Sequence, residues 1–234
     1  MKRILIVTCF ALPLLAPAIS RAQAVQTPPA TPVPAADSSS GDGGSSVMFR
    51  VGGIMMNGER NSDFNKSVQQ GTGSVKGVEV ILRGGGIGLS FRSLSGTFTA
   101  TGSNVPDVIS ADANLLLGPP AFTISVGASR RALSSTLGTR TFDFGRAGLQ
   151  MSFLIGGSGF RAQVGGWGYV PADPDMMKIG GEGEASLIYT FPVIPIYLQA
   201  GYRTEVFTSK TASSETPEEV RGLRIGGGIQ FGGK

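Results

Sequence analysis

The sequence contains no histidine. Ser-His-Asp triads, Asp-His protease sites and His-dependent lipases are thereby excluded, and most zinc sites with them. Cysteine is almost as scarce. The one cysteine, Cys9, lies near the N-terminus, and no small residue precedes it as a lipoprotein site requires. Everything after it lacks both thiol and disulfide. Charge is also low, with 15% charged residues against roughly 25% in soluble domains. No Gly-Lys-Ser/Thr phosphate loop occurs, and no basic footprint points to nucleic acid. Long apolar runs are missing except at the start.

That start reads MKRILIVTCFALPLLAPAISRAQA. Lys2 and Arg3 precede an apolar stretch from Ile4 to Leu15, and Ala22 and Ala24 form a small-x-small cleavage site. Residues 1–24 are expected to be a secretory signal peptide cut after Ala24. A retained membrane helix is disfavoured because the run is short and holds Pro13 and Pro17. Removing Lys2, Arg3 and Arg21 from the 20 basic residues leaves 17 against 16 acidic ones, a net of +1 rather than +4. Residues 25–45 are rich first in Pro and then in Ser and Gly, with no periodicity, and are expected to be a disordered leader. The folded domain is expected over 46–234.

What fills that domain is alternation. In ISADANLLLGPPAFTISVGAS, Ile109, Ala111, Ala113, Leu115 and Leu117 alternate with polar residues. After Gly118-Pro119-Pro120 the pattern resumes through Phe122, Ile124, Val126 and Ala128. This is a β-hairpin with one apolar and one polar face. Ten such segments are expected, at about 46–57, 74–84, 87–101, 107–117, 121–132, 141–155, 159–170, 178–191, 196–208 and 219–231. Merging neighbours gives eight. Bulges are expected near Ser93, because Leu94 and Phe98 leave the face of Ile87, Leu89 and Phe91, and at Gly145. Tight turns such as Gly85-Gly86 follow the even segments. Longer polar loops such as GERNSDFNKSVQQGTG, PADPDMMK and SKTASSETPE follow the odd ones. Low charge and this asymmetry favour a barrel with its apolar face outward. A soluble up-and-down barrel is the alternative.

The C-terminal RIGGGIQF places Arg224, Gly226, Ile229 and Phe231 in a polar-x-Gly-x-x-apolar-x-apolar pattern. It resembles the β-signal of small bacterial outer-membrane β-barrel proteins, although Gly232-Gly233-Lys234 follow the aromatic. The resemblance implies an all-β fold, a transmembrane antiparallel up-and-down β-barrel of about ten strands, set in outer-membrane lipids. It also implies insertion by the barrel-insertion machinery. An even strand number returns both ends to the periplasmic side, where the leader would lie.

With the polar face inward, the lumen is expected to hold Arg50, Glu79, Arg83, Arg92, Asp112, Arg146, Arg161, Glu182, Glu184, Arg203, Glu205 and Arg224. Glutamines 150, 163, 199 and 230 join them. Buried charges need partners, so a structural ion-pair network is expected. Hairpin register sets Glu79 opposite Arg92, Glu184 opposite Arg203 and Glu182 opposite Glu205, with Arg203 serving all three carboxylates of its hairpin. Glu182 and Glu184 merely share a face, which is weak ground for acid–base catalysis. GSGFRA at 157–162 leads into a strand and is a hairpin turn, not a dinucleotide fingerprint. Asp173 and Asp175 are read as solvated loop residues. Phe122, Phe160, Tyr189, Phe191 and Phe231 on the turn side, and Phe142, Trp167, Tyr169 and Phe207 on the loop side, fit two interfacial girdles. The function expected is a non-enzymatic structural or surface-exposed barrel with no cofactor and no metal. The alternatives are a narrow porin-like channel for small solutes and a soluble exported barrel binding an apolar ligand. The identity of any extracellular ligand is not legible.

Overall fold

A computed structural model describes residues 47–62, 69–99, 107–135, 138–156, 159–211 and 214–232. The expected signal peptide, with Ala22 and Ala24, and the leader lie outside them. Ten strands follow in order. They are β1 (Met48–Ser62), β2 (Gln69–Gly84), β3 (Ile87–Thr99), β4 (Asp107–Leu117) and β5 (Phe122–Ser135), then β6 (Gly138–Ile155), β7 (Phe160–Pro171), β8 (Gly180–Thr190), β9 (Ile196–Thr211) and β10 (Ser214–Phe231). Each pairs antiparallel with its neighbours in sequence, and β1 pairs with β10 to close the barrel. The eight-strand alternative does not hold.

Turn chemistry sets the registers. Gly85 and Gly86 both have positive φ, 58° and 83°, which the tightest two-residue hairpin turn demands and glycine supplies without strain. The register then runs Gly84↔Ile87, Leu82↔Leu89, Val80↔Phe91 and Glu79↔Arg92. The 192–195 turn sets Tyr189↔Leu198, Leu187↔Ala200, Glu184↔Arg203 and Glu182↔Glu205. All of these agree with the alternation. Several strands run further on the loop side than expected, although β8 starts later, at Gly180. β1 reaches Ser62, β2 starts at Gln69, and β9 and β10 extend to Thr211 and from Ser214.

Two expected bulges are absent. β2 and β3 pair without interruption through Val78↔Ser93 and Gly77↔Leu94, and Gly145 sits in continuous ladders on both sides. Leu94 and Phe98 leave the face of Phe91 because they belong inside. With Ile54, Met56, Val75, Val108, Leu133, Phe142, Phe144, Tyr169, Met177 and Phe207 they form an apolar layer in the interior. The expected loop-side girdle is corrected for the same reason. Phe142, Tyr169 and Phe207 are buried inside, and Trp167 packs against the same layer. On the turn side Phe122, Phe160 and Phe231 are exposed on the outer face. Phe160, Tyr189 and Phe191 cluster there, with ring centroids 4.6 and 4.8 Å apart.

The outer face is apolar along most of its height. In the 109–129 hairpin, Ile109, Leu115, Phe122, Ile124 and Val126 are exposed, while Ser110, Asp112, Thr123 and Ser125 are buried. From Lys76, Glu59, Arg130 and Asp143 toward the turns, the outer face bears no charged side chain among the described residues. Along β10 this run, Leu223 to Phe231, spans about 20–25 Å at ~3.3 Å per residue and the usual barrel tilt. Beyond it sit the exposed pairs Arg130–Asp143 and Arg221–Glu59, at 2.6 and 3.0 Å.

Trp167 reports on this orientation, being the only tryptophan in the chain. Its indole Nε1 donates to Ser125 Oγ inside the barrel at 2.6 Å. Brominated acyl chains are therefore expected to leave Trp167 emission almost unquenched in liposomes. Strong quenching would place the indole on the outer face.

Candidate functional site

Pleat geometry delivers ten charged side chains to one level of the lumen. β2 contributes Glu79, β3 Arg92, β4 Asp112, β5 Arg131 and β6 Arg146. β8 adds Glu182 and Glu184, β9 adds Arg203 and Glu205, and β10 adds Arg224. Ion pairs join all of them into one network of five cations and five anions. Glu182 is the hub. It meets Arg92 at 2.7 Å, Arg146 at 2.9 Å and Arg203 at 3.0 Å, and accepts from Tyr169 Oη at 2.6 Å. Asp112 is fully buried and binds Arg92 and Arg131, each at 2.7 Å, and Arg146 at 3.2 Å. It also accepts from Ser129 Oγ.

Neighbourhood in the sheet dictated only some of these partners: Arg92 does bind Asp112, directly opposite it on β4. Glu79 is opposite Arg92 in register, but its ion pair is with Arg224 at 3.3 Å. Arg203 is opposite Glu184, but it binds Glu182 and Glu205. Glu184 is held instead by Arg92 and Arg224. Arg203 does bridge the like-charged pair Glu182 and Glu205, so it serves two carboxylates of its hairpin rather than three.

Sequence reading missed Arg131, which is 1% exposed and ties Asp112 to Glu205. The signal was present, since Thr123, Ser125 and Ser129 define the inward parity of β5 and Arg131 continues it. Arg130 faces outward to Asp143. It also missed Arg60 and Glu218, which pair at 2.8 Å in the loop-side interior from stretches read as loops. The PADPDMMK loop is not simply solvated. Asp173 and Asp175 stay on the exposed side, but Met177 is buried in the apolar layer. Lys178 N donates to Thr208 O at 2.8 Å and Lys210 N to Met176 O at 2.7 Å, pinning the loop to β9.

On the turn side of the network a cavity opens, with about 80 Å³ of room for water. Arg50, Arg83, Arg161, Gln150, Gln163 and Gln199 are among its walls, and Arg92, Arg146 and Glu184 of the network form its floor. Arg50 donates to Gln230 Oε1 at 2.7 Å and lies over the Tyr197 ring, 4.7 Å from its centroid. Arg83 donates to Thr123 Oγ1 at 2.9 Å and to Gly118 O. A second cavity near the loops, between Arg60, Arg131 and Glu205, offers only about 10 Å³, roughly one water.

The network carboxylates are each committed to guanidinium groups. Among the described residues no cluster of three or more His, Cys, Asp or Glu could hold a metal. Of the C-terminal motif, Arg224 points into the network, while Ile229 and Phe231 are exposed outside and Gly226 sits opposite Ile54.

No family model matches the chain, and no curated protein matches it. Among solved structures it is similar to the outer membrane protease OmpT of Escherichia coli, at 8% identity and a TM-score of 0.44, over 80% of this chain and 97% of that one. It is also similar to an outer membrane channel from Pseudomonas putida F1, at 9% identity and a TM-score of 0.36, over 80% and 96%. A third is the beta domain of the Bordetella autotransporter BrkA, at 10% identity and a TM-score of 0.34, over 76% and 98%. At these identities no residue's role transfers.

Proposed function

We propose that the chain is an integral barrel of the bacterial outer membrane, structural or surface-exposed and without catalytic activity, closed by its own interior. The observation that carries this reading is the inversion of polarity. Among the described residues thirty-four large apolar side chains are exposed, most on the outer face, while arginines and carboxylates fill the inside. In water each such Leu, Ile or Phe would forgo about 1.5–3 kcal/mol of burial. An uncharged band of about 20–25 Å matches the height of a membrane barrel's apolar belt. A soluble carrier of an apolar ligand would need an apolar lumen, and this one is charged at mid-height. Above the network the apolar layer and Met177 obstruct the path a solute would take, which favours a closed barrel over a porin-like one.

Two measurements test this. The protein is expected in the outer-membrane fraction, with folded and boiled samples migrating differently on SDS gels. In planar bilayers it is expected to give no stepwise conductance. Reproducible single-channel steps would replace the closed reading with the channel, and recovery in the soluble periplasmic fraction would replace both.

A further inference from the structure

We propose that the turn-side mouth of the lumen is a binding site for a small oxyanion, a phosphate or carboxylate group, held by Arg50, Arg83 and Arg161. The charge balance of the interior points there. Arg92, Arg131, Arg146, Arg203 and Arg224 are matched one for one by Glu79, Asp112, Glu182, Glu184 and Glu205 within a single network. Arg50, Arg83 and Arg161 line the adjoining cavity and form no ion pair with any carboxylate among the described residues. Three positive charges are thus left over on one side of a neutral layer. Arg161 is within electrostatic reach of both Arg50 and Arg83 and repels each of them, while Glu79 offsets part of the charge of Arg50 alone. Like charges gathered in a partly enclosed space are unfavourable unless an anion joins them.

Unused donors point the same way. Arg83 is 7% exposed and Ser152 is 8% exposed, and both line the cavity. Arg83 Nε and Ser152 Oγ are buried without a hydrogen-bond partner among the described residues. Buried polar atoms nearly always find one. A planar guanidinium with a free Nε–H suits a phosphate or carboxylate, which accepts two bonds side by side. Arg161 reaches the cavity with no hydrogen bond or ion pair among the described residues. Glu79 and Glu184 also line the cavity, but Arg224 and Arg92 hold them. The limited room excludes a large ligand and admits a single oxyanion or the phosphate of a lipid headgroup entering from the mouth.

The site extends beyond the closed-barrel reading and is independent of membrane location. Its test uses the full chain folded in neutral, lipid-free detergent. Inorganic phosphate and acetate are each titrated calorimetrically against chloride at matched ionic strength, and the thermal midpoint is followed in parallel. The wild type is expected to bind and to gain in midpoint. Arg161→Gln, which breaks no hydrogen bond or ion pair among the described residues, is expected to weaken binding about tenfold or more, the scale of one charged hydrogen bond. Arg83→Met is expected to do the same. Binding of inorganic phosphate or acetate assigns a free oxyanion. A gain seen only with phosphatidylglycerol in the micelle, and lost in Arg161→Gln, assigns a headgroup. No gain from any of these, or an equal gain in Arg161→Gln, overturns the site and leaves water and counter-ions as its occupants.

Discussion

Glu182→Gln is expected to lower the unfolding free energy of the barrel by about 3–5 kcal/mol, the scale for removing one partner from a buried ion pair. The substitution keeps the volume and deletes the charge. Arg92, Arg146 and Arg203 all bind Glu182. Without it they retain Asp112, Glu184 and Glu205 between them, and the network becomes five cations against four anions. Denaturant titration in liposomes, read by Trp167 emission, measures the loss. Removing Arg146 as well, in Glu182→Gln/Arg146→Met, restores neutrality and is expected to recover a large part of it. The contrasting change is Glu59→Gln. Glu59 pairs with Arg221 on the exposed rim at 3.0 Å, where such pairs contribute about 1 kcal/mol or less. Equal losses for Glu182→Gln and Glu59→Gln would mean that the lumen is hydrated like a surface.

Gly228→Val is expected to prevent closure of the barrel. Gly228 faces Gly52 where β10 meets β1, the seam joining the two ends of the sheet. A Cβ at Gly228 would lie 2.0 Å from Val51 O and 2.4 Å from Gly52 Cα. These are backbone atoms, fixed by the ladder, and cannot rotate away as a side chain would. Overpacking that side chains can relieve already costs about 1–3 kcal/mol; this clash is expected to exceed that range. Gly53, one residue along from Gly52, faces outward, and a Cβ there finds its nearest neighbour at 4.0 Å. Gly53→Ala is expected to fold within about 0.5 kcal/mol of the wild type. Gel migration before and after boiling separates the two. A normally migrating Gly228→Val barrel would show that the seam tolerates a wider spacing.

Much of this architecture is written in one dimension. Period-two alternation marks the strands, because a pleat sends successive side chains to opposite faces. Two glycines at 85–86 fix the register of β2 and β3, because only one hairpin geometry connects strands through so short a link. From the alternation most of the inward charged set from Arg50 to Arg224 could be named, and the 192–195 turn set Glu182 opposite Glu205. The rules fail where they assume that the inside is uniformly polar. Leu94, Phe98, Phe142, Tyr169 and Phe207 point inward at the loop end. A polar-inside rule misreads them as a bulge or as an interfacial girdle. Arg60 and Glu218 were missed because strands protruding beyond the apolar band carry polar residues on both faces, which hides the alternation.

The sequence by itself determined most of the charged residues that face in at mid-strand, the order of the strands, and the registers of the β2–β3 and β8–β9 hairpins, since each depends on chain neighbours and turn length alone. Only the tertiary structure decided which charge holds which. Arg92 on β3 binds Glu182 on β8, 90 residues away, rather than Glu79 directly beside it. Arg92 also holds Asp112, directly opposite on β4, but side chains opposite in a sheet start only about 5 Å apart at their Cβ atoms, so a long arginine reaches beyond one neighbour. In a barrel this narrow its guanidinium ends near the facing wall. Closure of β1 on β10 brings that wall within reach, and nothing local in the sequence encodes it.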